Sequence, residues 1–195
     1  MHRAPVPVVV QQHVADAAVL RNTRAVLVAA PHVRWHQLAR LDERLAAHLD
    51  GLAVAGDYGV RLAAAALDHP GRGEIFVATV LAIESRDLQR LGELLSVARR
   101  LSEGWAGVAS AFGWVPGARL QGITKALLES PDAFQRQLGL AGCAMHGVDP
   151  GPALTAALSD EDAHLRRRAL RVTAQIGRID LLPACMSALD DGDAG

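Results

Sequence analysis

Lysine is almost absent from this chain of 195 residues: among its twenty basic side chains, Lys125 alone is not arginine. Basic and acidic residues nearly cancel to a formal net charge of −1, so the chain as a whole is not built to hold a polyanion. Aromatic residues make up 4%, and there are two cysteines. Cys143 and Cys185 both lie in Ala-rich apolar surroundings, where a free thiol behaves as a small hydrophobe. The expectation is two buried, reduced thiols and no disulfide framework. No stretch approaches the roughly eighteen consecutive apolar residues of a membrane span, and Met1 to Pro7 lack the apolar core and cleavage site of a secretory signal. A cytoplasmic location with no membrane partner is therefore expected.

Signatures of catalysis are missing as well. There is no P-loop, nucleophile elbow or dinucleotide fingerprint, and Gly71-Arg72-Gly73 has no strand before it and reads as a turn. His32 and His36 have the i, i+4 spacing of a metal pair, yet Pro31 precedes the first and no carboxylate lies between them. His48, His69, His146 and His164 are scattered without an acid or cysteine at ligand spacing. No enzyme, metal or cofactor is expected.

What the chain does have is alanine and leucine in long stretches with few β-branched residues, which favours helices throughout. The pattern predicts helices over about 8–30, 36–55, 57–68, 74–83, 87–99 and 103–112, and a short one reaching Leu128. In the second, Leu38, Leu41, Leu45, Leu49 and Leu52 follow steps of three and four and share one face. Gly113-Trp114-Val115-Pro116-Gly117 is the strongest loop signal in the middle of the chain.

One motif recurs in the last third. Leu128-Glu129-Ser130-Pro131-Asp132-Ala133, Leu158-Ser159-Asp160-Glu161-Asp162-Ala163 and Leu189-Asp190-Asp191-Gly192-Asp193-Ala194 carry the same helix-end, turn and helix-start signal, thirty and then thirty-one residues apart. A fixed period in this range marks a repeat architecture whose units bury their apolar faces by stacking. A shift of thirty-one superposes Phe134, Leu138, Ala141 and Met145 on Leu165, Ala169, Val172 and Ile176, and Pro152 on Pro183. The expected fold is an all-α solenoid of two-helix repeats. It forms one domain over 1–195, with N-terminal helices in 1–68, an irregular helical middle in 69–128, and two clear repeats plus the start of a third in 129–195.

These units of about thirty residues resemble HEAT-like repeats of the short, lyase-associated type. The stretch Leu41-Asp42-Glu43-Arg44-Leu45-Ala46-Ala47-His48-Leu49-Asp50-Gly51-Leu52, continuing to Ala55-Gly56-Asp57, is similar to the opening of a proteobacterial family of HEAT-like-repeat proteins. Some members of that family are associated with type VI secretion gene clusters, so the resemblance implies an accessory or adaptor role. It implies a fold more directly than an activity.

Arg166, Arg167, Arg168 and Arg171 form the one real charge cluster. Arg167, Arg168, Arg171 and Gln175 share a helical side opposite the Leu165, Ala169, Val172, Ile176 stripe and make a basic ridge able to grip phosphate or an acidic partner. With Asp162 four residues before Arg166, a solvated, ion-paired face competes with that reading. Asp160, Glu161, Asp162, Asp190, Asp191 and Asp193 lack the alternating ligands of a calcium loop and are expected to cap helices. Trp105 and Phe112 are expected in the core, and Trp114, in its Gly/Pro loop, as an exposed aromatic anchor. The function expected is a non-enzymatic scaffold or adaptor with a protein partner. The alternative is a nucleic-acid-binding protein that uses the Arg ridge, which the near-zero net charge disfavours. Because Asp193-Ala194-Gly195 opens a unit with no capping helix after it, Leu181, Leu182, Cys185 and Met186 are expected to be partly bare, with self-association through the C-terminal end.

Overall fold

The computed structural model describes residues 5–188, which fold as α-helices and short 3-10 turns without a strand. The chain divides into two compact units, Met1–Val115 and Pro116–Gly195.

Six helices build the first unit: α1 Pro7–Leu27, α2 Trp35–Val54, α3 Asp57–Ala65, α4 Arg72–Glu84, α5 Leu88–Ala98 and α6 Gly104–Trp114. No charge interrupts the run between Glu74 and Glu84, and every residue from Ile75 to Ile83 is buried. A helix that is apolar all round belongs at the centre of a core, and α1, α3, α5 and α6 all pack against α4. Small residues set how close they come. A side chain at Gly73 would strike the Ala18 carbonyl of α1, and a Cβ at Gly107 of α6 would stand 2.8 Å from the Arg72 carbonyl of α4. The five leucines of α2 are buried as their spacing predicts, on the face that α2 turns to α1.

The second unit runs through a 3-10 turn at Gly117–Leu120, then α7 Ile123–Leu128, α8 Ala133–Met145, α9 Pro152–Ala157, α10 Ala163–Ile176, a 3-10 turn at Ile179–Leu181 and α11 Leu182–Ser187. Its core gathers Leu140, Leu154, Ala157, Leu165, Ala169, Val172 and Leu181. Helix α8 packs on both α7 and α10.

The turns before α8 and α10 are built alike. Asp132 Oδ1 accepts from the Phe134 N–H at 2.8 Å, and Asp162 Oδ1 from the Leu165 N–H at 2.8 Å, each satisfying a free helix-start donor. Two residues earlier, Ser130 Oγ and Asp160 Oδ1 accept from the N–H groups of those same aspartates. Arg136 Nη1 donates back to the carbonyls of Ser130 and Pro131, and Arg166 Nη1 to those of Asp160 and Glu161. Both helices end at a left-handed glycine, Gly147 at φ 66° and Gly177 at φ 78°. The capped N–H groups of Phe134 and Leu165, and the buried pairs Leu138 with Ala169 and Ala141 with Val172, are thirty-one residues apart, as the apolar stripes predict, whereas the capping aspartates, the arginines and the helix-ending glycines are in register at thirty. An extra residue enters after Gly177, which leaves Pro152 and Pro183 thirty-one apart. In the register of thirty Met145 corresponds to Gln175, and both are exposed at the end of their helices. The third copy of the motif, with Asp190, Asp191 and Asp193, lies outside the described residues.

Candidate interaction surface

The residues of the basic ridge lie along α10. Arg171 and Gln175 are exposed, and Arg167 and Arg168 are half-buried. Burial, and then the neighbouring Arg171 guanidinium, push Arg168 below the usual arginine range. Two like charges therefore stand side by side on this face, an arrangement that favours an approaching anion. Arg167 Nη2 meets His164 Nδ1 at 2.9 Å. Arg166 is set apart from the ridge, because its Nη1 is spent on the main-chain carbonyls of its own turn. Asp162, expected as its ion-pair partner, has Oδ1 engaged by the Leu165 N–H.

Trp114 is not the exposed anchor expected from its Gly/Pro loop. It is the last residue of α6, half-buried, with its ring edge-on to Phe76 at 5.9 Å and 84°. The core contact with Phe76 keeps α6 helical through Gly113, so the loop begins only at Val115. Trp114 belongs to the first unit and the ridge to the second.

The bare tryptophan is Trp35, the first residue of α2, 83% exposed. It stands three residues before Leu38 and extends the leucine stripe one turn past the core. That spacing was the available signal. Val26 and Val28, at the end of α1, are exposed as well. No acidic residue occurs between Arg24 and Asp42, while His32, Arg34, His36 and Arg40 do. His32 lies in the α1–α2 turn and His36 on α2, both exposed.

At the other end, Leu181 is buried, Cys185 is half-buried, and Leu182 and Met186 on α11 are 53% and 62% exposed. No described helix is long and apolar enough to cross a membrane. No protein-family model, curated protein or solved structure matches the chain.

Proposed function

We propose that this chain is a non-enzymatic scaffold or adaptor, a HEAT-like α-solenoid accessory to a bacterial secretion system, which binds a protein partner through the α10 ridge of Arg167, Arg168, Arg171 and Gln175. The observation that carries the reading is the matched pair of turns before α8 and α10, with the same caps and the same arginine thirty residues apart. Units of that kind stack in one dimension and present extended faces, and such faces serve binding. The secretion-system association rests on the resemblance of residues 41–57. Cytoplasmic residence and self-association through α11 belong to the same proposal, the latter supported by the exposed Leu182 and Met186.

Capture from native lysate with the intact chain and with the Arg167→Ala, Arg171→Ala double variant is the test. A protein retained by the first and lost by the second supports the reading; no retained protein, or equal retention, defeats it. The rival reading is nucleic-acid binding by the same ridge, favoured by the like charges of Arg168 and Arg171 but deprived of Trp114 as an aromatic element. Binding to duplex that weakens steeply with salt would select it. A size measurement over a dilution series tests self-association.

A further inference from the structure

Helix α1 turns a face to solvent that carries no charge. Its charged residues, Asp16, Arg21 and Arg24, are all half-buried and occupied elsewhere. Asp16 Oδ1 accepts from Gln12 Nε2 at 2.8 Å, Arg21 lies 5.6 Å over the ring of Phe76, and Arg24 is closed into a fork with Asp42 of α2. What remains outside is valine, alanine and amide, apart from Pro7 at the helix start. The neighbouring α2 is built the opposite way, with Arg40, Glu43, Arg44 and Asp50 all exposed. Branched valine is also a poor choice for helix positions that meet only water.

The outer residues form a stripe. Val8, Gln12, Ala15, Val19, Asn22 and Val26 are all exposed and follow steps of four, three, four, three and four, the spacing of a seam between two helices. Val8, Val19 and Val26 are 69%, 61% and 70% exposed. The stripe also has the same character in both directions about the level of Ala17. Laid antiparallel on a second α1, Val8 meets Val26, Ala15 meets Val19, and Gln12 meets Asn22. Valine then packs on valine, the smallest residue faces a larger one, and two amides face each other, each both donor and acceptor. Since Gln12 Nε2 is given to Asp16, its Oε1 is left to accept from Asn22 of the second copy. An amide pair in an otherwise apolar seam fixes register and direction. A charged partner would find no counter-charge on this stripe, whereas a second copy meets no like charge, so the face is complementary to itself.

We infer that two copies of this chain pair through α1, antiparallel about a two-fold axis at the level of Ala17. This interface is separate from the α10 ridge and from α11, and does not depend on either.

Sedimentation equilibrium of the full chain over a dilution series tests it. The native chain should associate in pairs. Val19→Glu, at an exposed position that folding does not need, should weaken the pairing about tenfold or more, because each copy then brings a like charge close to the axis. Mixing Val19→Glu with Val19→Lys chains should restore it, which a loss of fold would not allow. Leu182→Asp leaves this pairing in place. Oxidation of mixed Val8→Cys and Val26→Cys chains should link position 8 to position 26, as read by peptide mapping. Val8→Cys alone should not link to itself, since the two copies of that residue stand about 27 Å apart along the seam at 1.5 Å per residue. A native chain that is monomeric throughout, undiminished pairing in Val19→Glu, a charge-swapped mixture that stays apart, or linkage of position 8 to itself as ready as to position 26 would overturn the assignment.

Discussion

His13 and His48 meet Nδ1 to Nδ1 at 3.0 Å across the α1–α2 contact, their rings edge-on with centroids 5.1 Å apart. One nitrogen must donate and the other accept, so the contact holds a single proton between two rings. Asp16 stands 3.9 Å from His48. Room for the pair comes from Gly51, where a Cβ would lie 2.7 Å from His13 Nε2.

Gly51→Ala therefore sets two effects against each other. Alanine in a helix interior is favoured over glycine by about 0.5–1 kcal/mol, but the methyl displaces His13 and breaks a contact of similar size, about 0.5–1.5 kcal/mol. Near-zero or negative net stabilisation is expected in the native chain, and stabilisation in a His13→Ala background. Thermal melts of the four proteins of this cycle check it. Equal effects in both backgrounds would mean that the two sites are not coupled.

Arg136 ties two turns together. Besides the Ser130 and Pro131 carbonyls, it reaches Asp160 Oδ2 at 2.7 Å in the turn before α10, with both side chains about three-quarters buried. Arg136→Ala should destabilise the second unit by about 1–3 kcal/mol, the range for charge-assisted bonds to partly buried groups. Lysine, without the fork, should restore little of it. Arg167→Ala with Arg171→Ala, on the exposed side of α10, should stay within about 1 kcal/mol of the native chain. Denaturant unfolding that ranks the two variants in the opposite order would make the ridge structural.

The helices were legible in the sequence where a pattern repeats over several turns, and less so where a single contact decides. Five leucines in α2 read correctly because their spacing admits only one face, and Asp162 read correctly as a cap because an acid before a helix has a local task. The apolar stripes match at thirty-one, with Leu138 and Ala169 both buried, whereas the capping aspartates and helix-ending glycines match at thirty, so no single shift describes the turns and the core together. Trp114 was misplaced because its shelter, Phe76, is thirty-eight residues away in sequence and no local signal reports it.

Thr79 lies at the centre of α4, fully buried, and its hydroxyl has no partner among the described residues. An unsatisfied hydroxyl in an apolar core costs about 1–3 kcal/mol, and valine has nearly the same shape. Thr79→Val should raise stability by about 1 kcal/mol or more, seen as a higher melting temperature with unchanged helix content. A lower melting temperature would show that the hydroxyl is satisfied in solution.

Cys143, on the inner side of α8, is buried, and that burial, with a smaller contribution from the charge of Asp149, pushes its thiol above the usual cysteine range. Only the thiolate is nucleophilic. Alkylation near pH 8 should therefore modify Cys185, half-buried on α11, well before Cys143, and both should react together once the chain is unfolded. Because the folded state raises this pKa, the neutral thiol's contribution to stability is complete below the unfolded thiol's range. It is lost as pH climbs through the higher folded value. The melting temperature of the native chain should thus fall faster than that of Cys143→Ala between mildly and strongly alkaline pH. Asp149→Asn, which removes the nearby negative charge, should speed labelling of Cys143 without exposing it. Parallel pH profiles for the native chain and Cys143→Ala, or labelling of Cys143 ahead of Cys185, would contradict the burial that the structure assigns to this thiol.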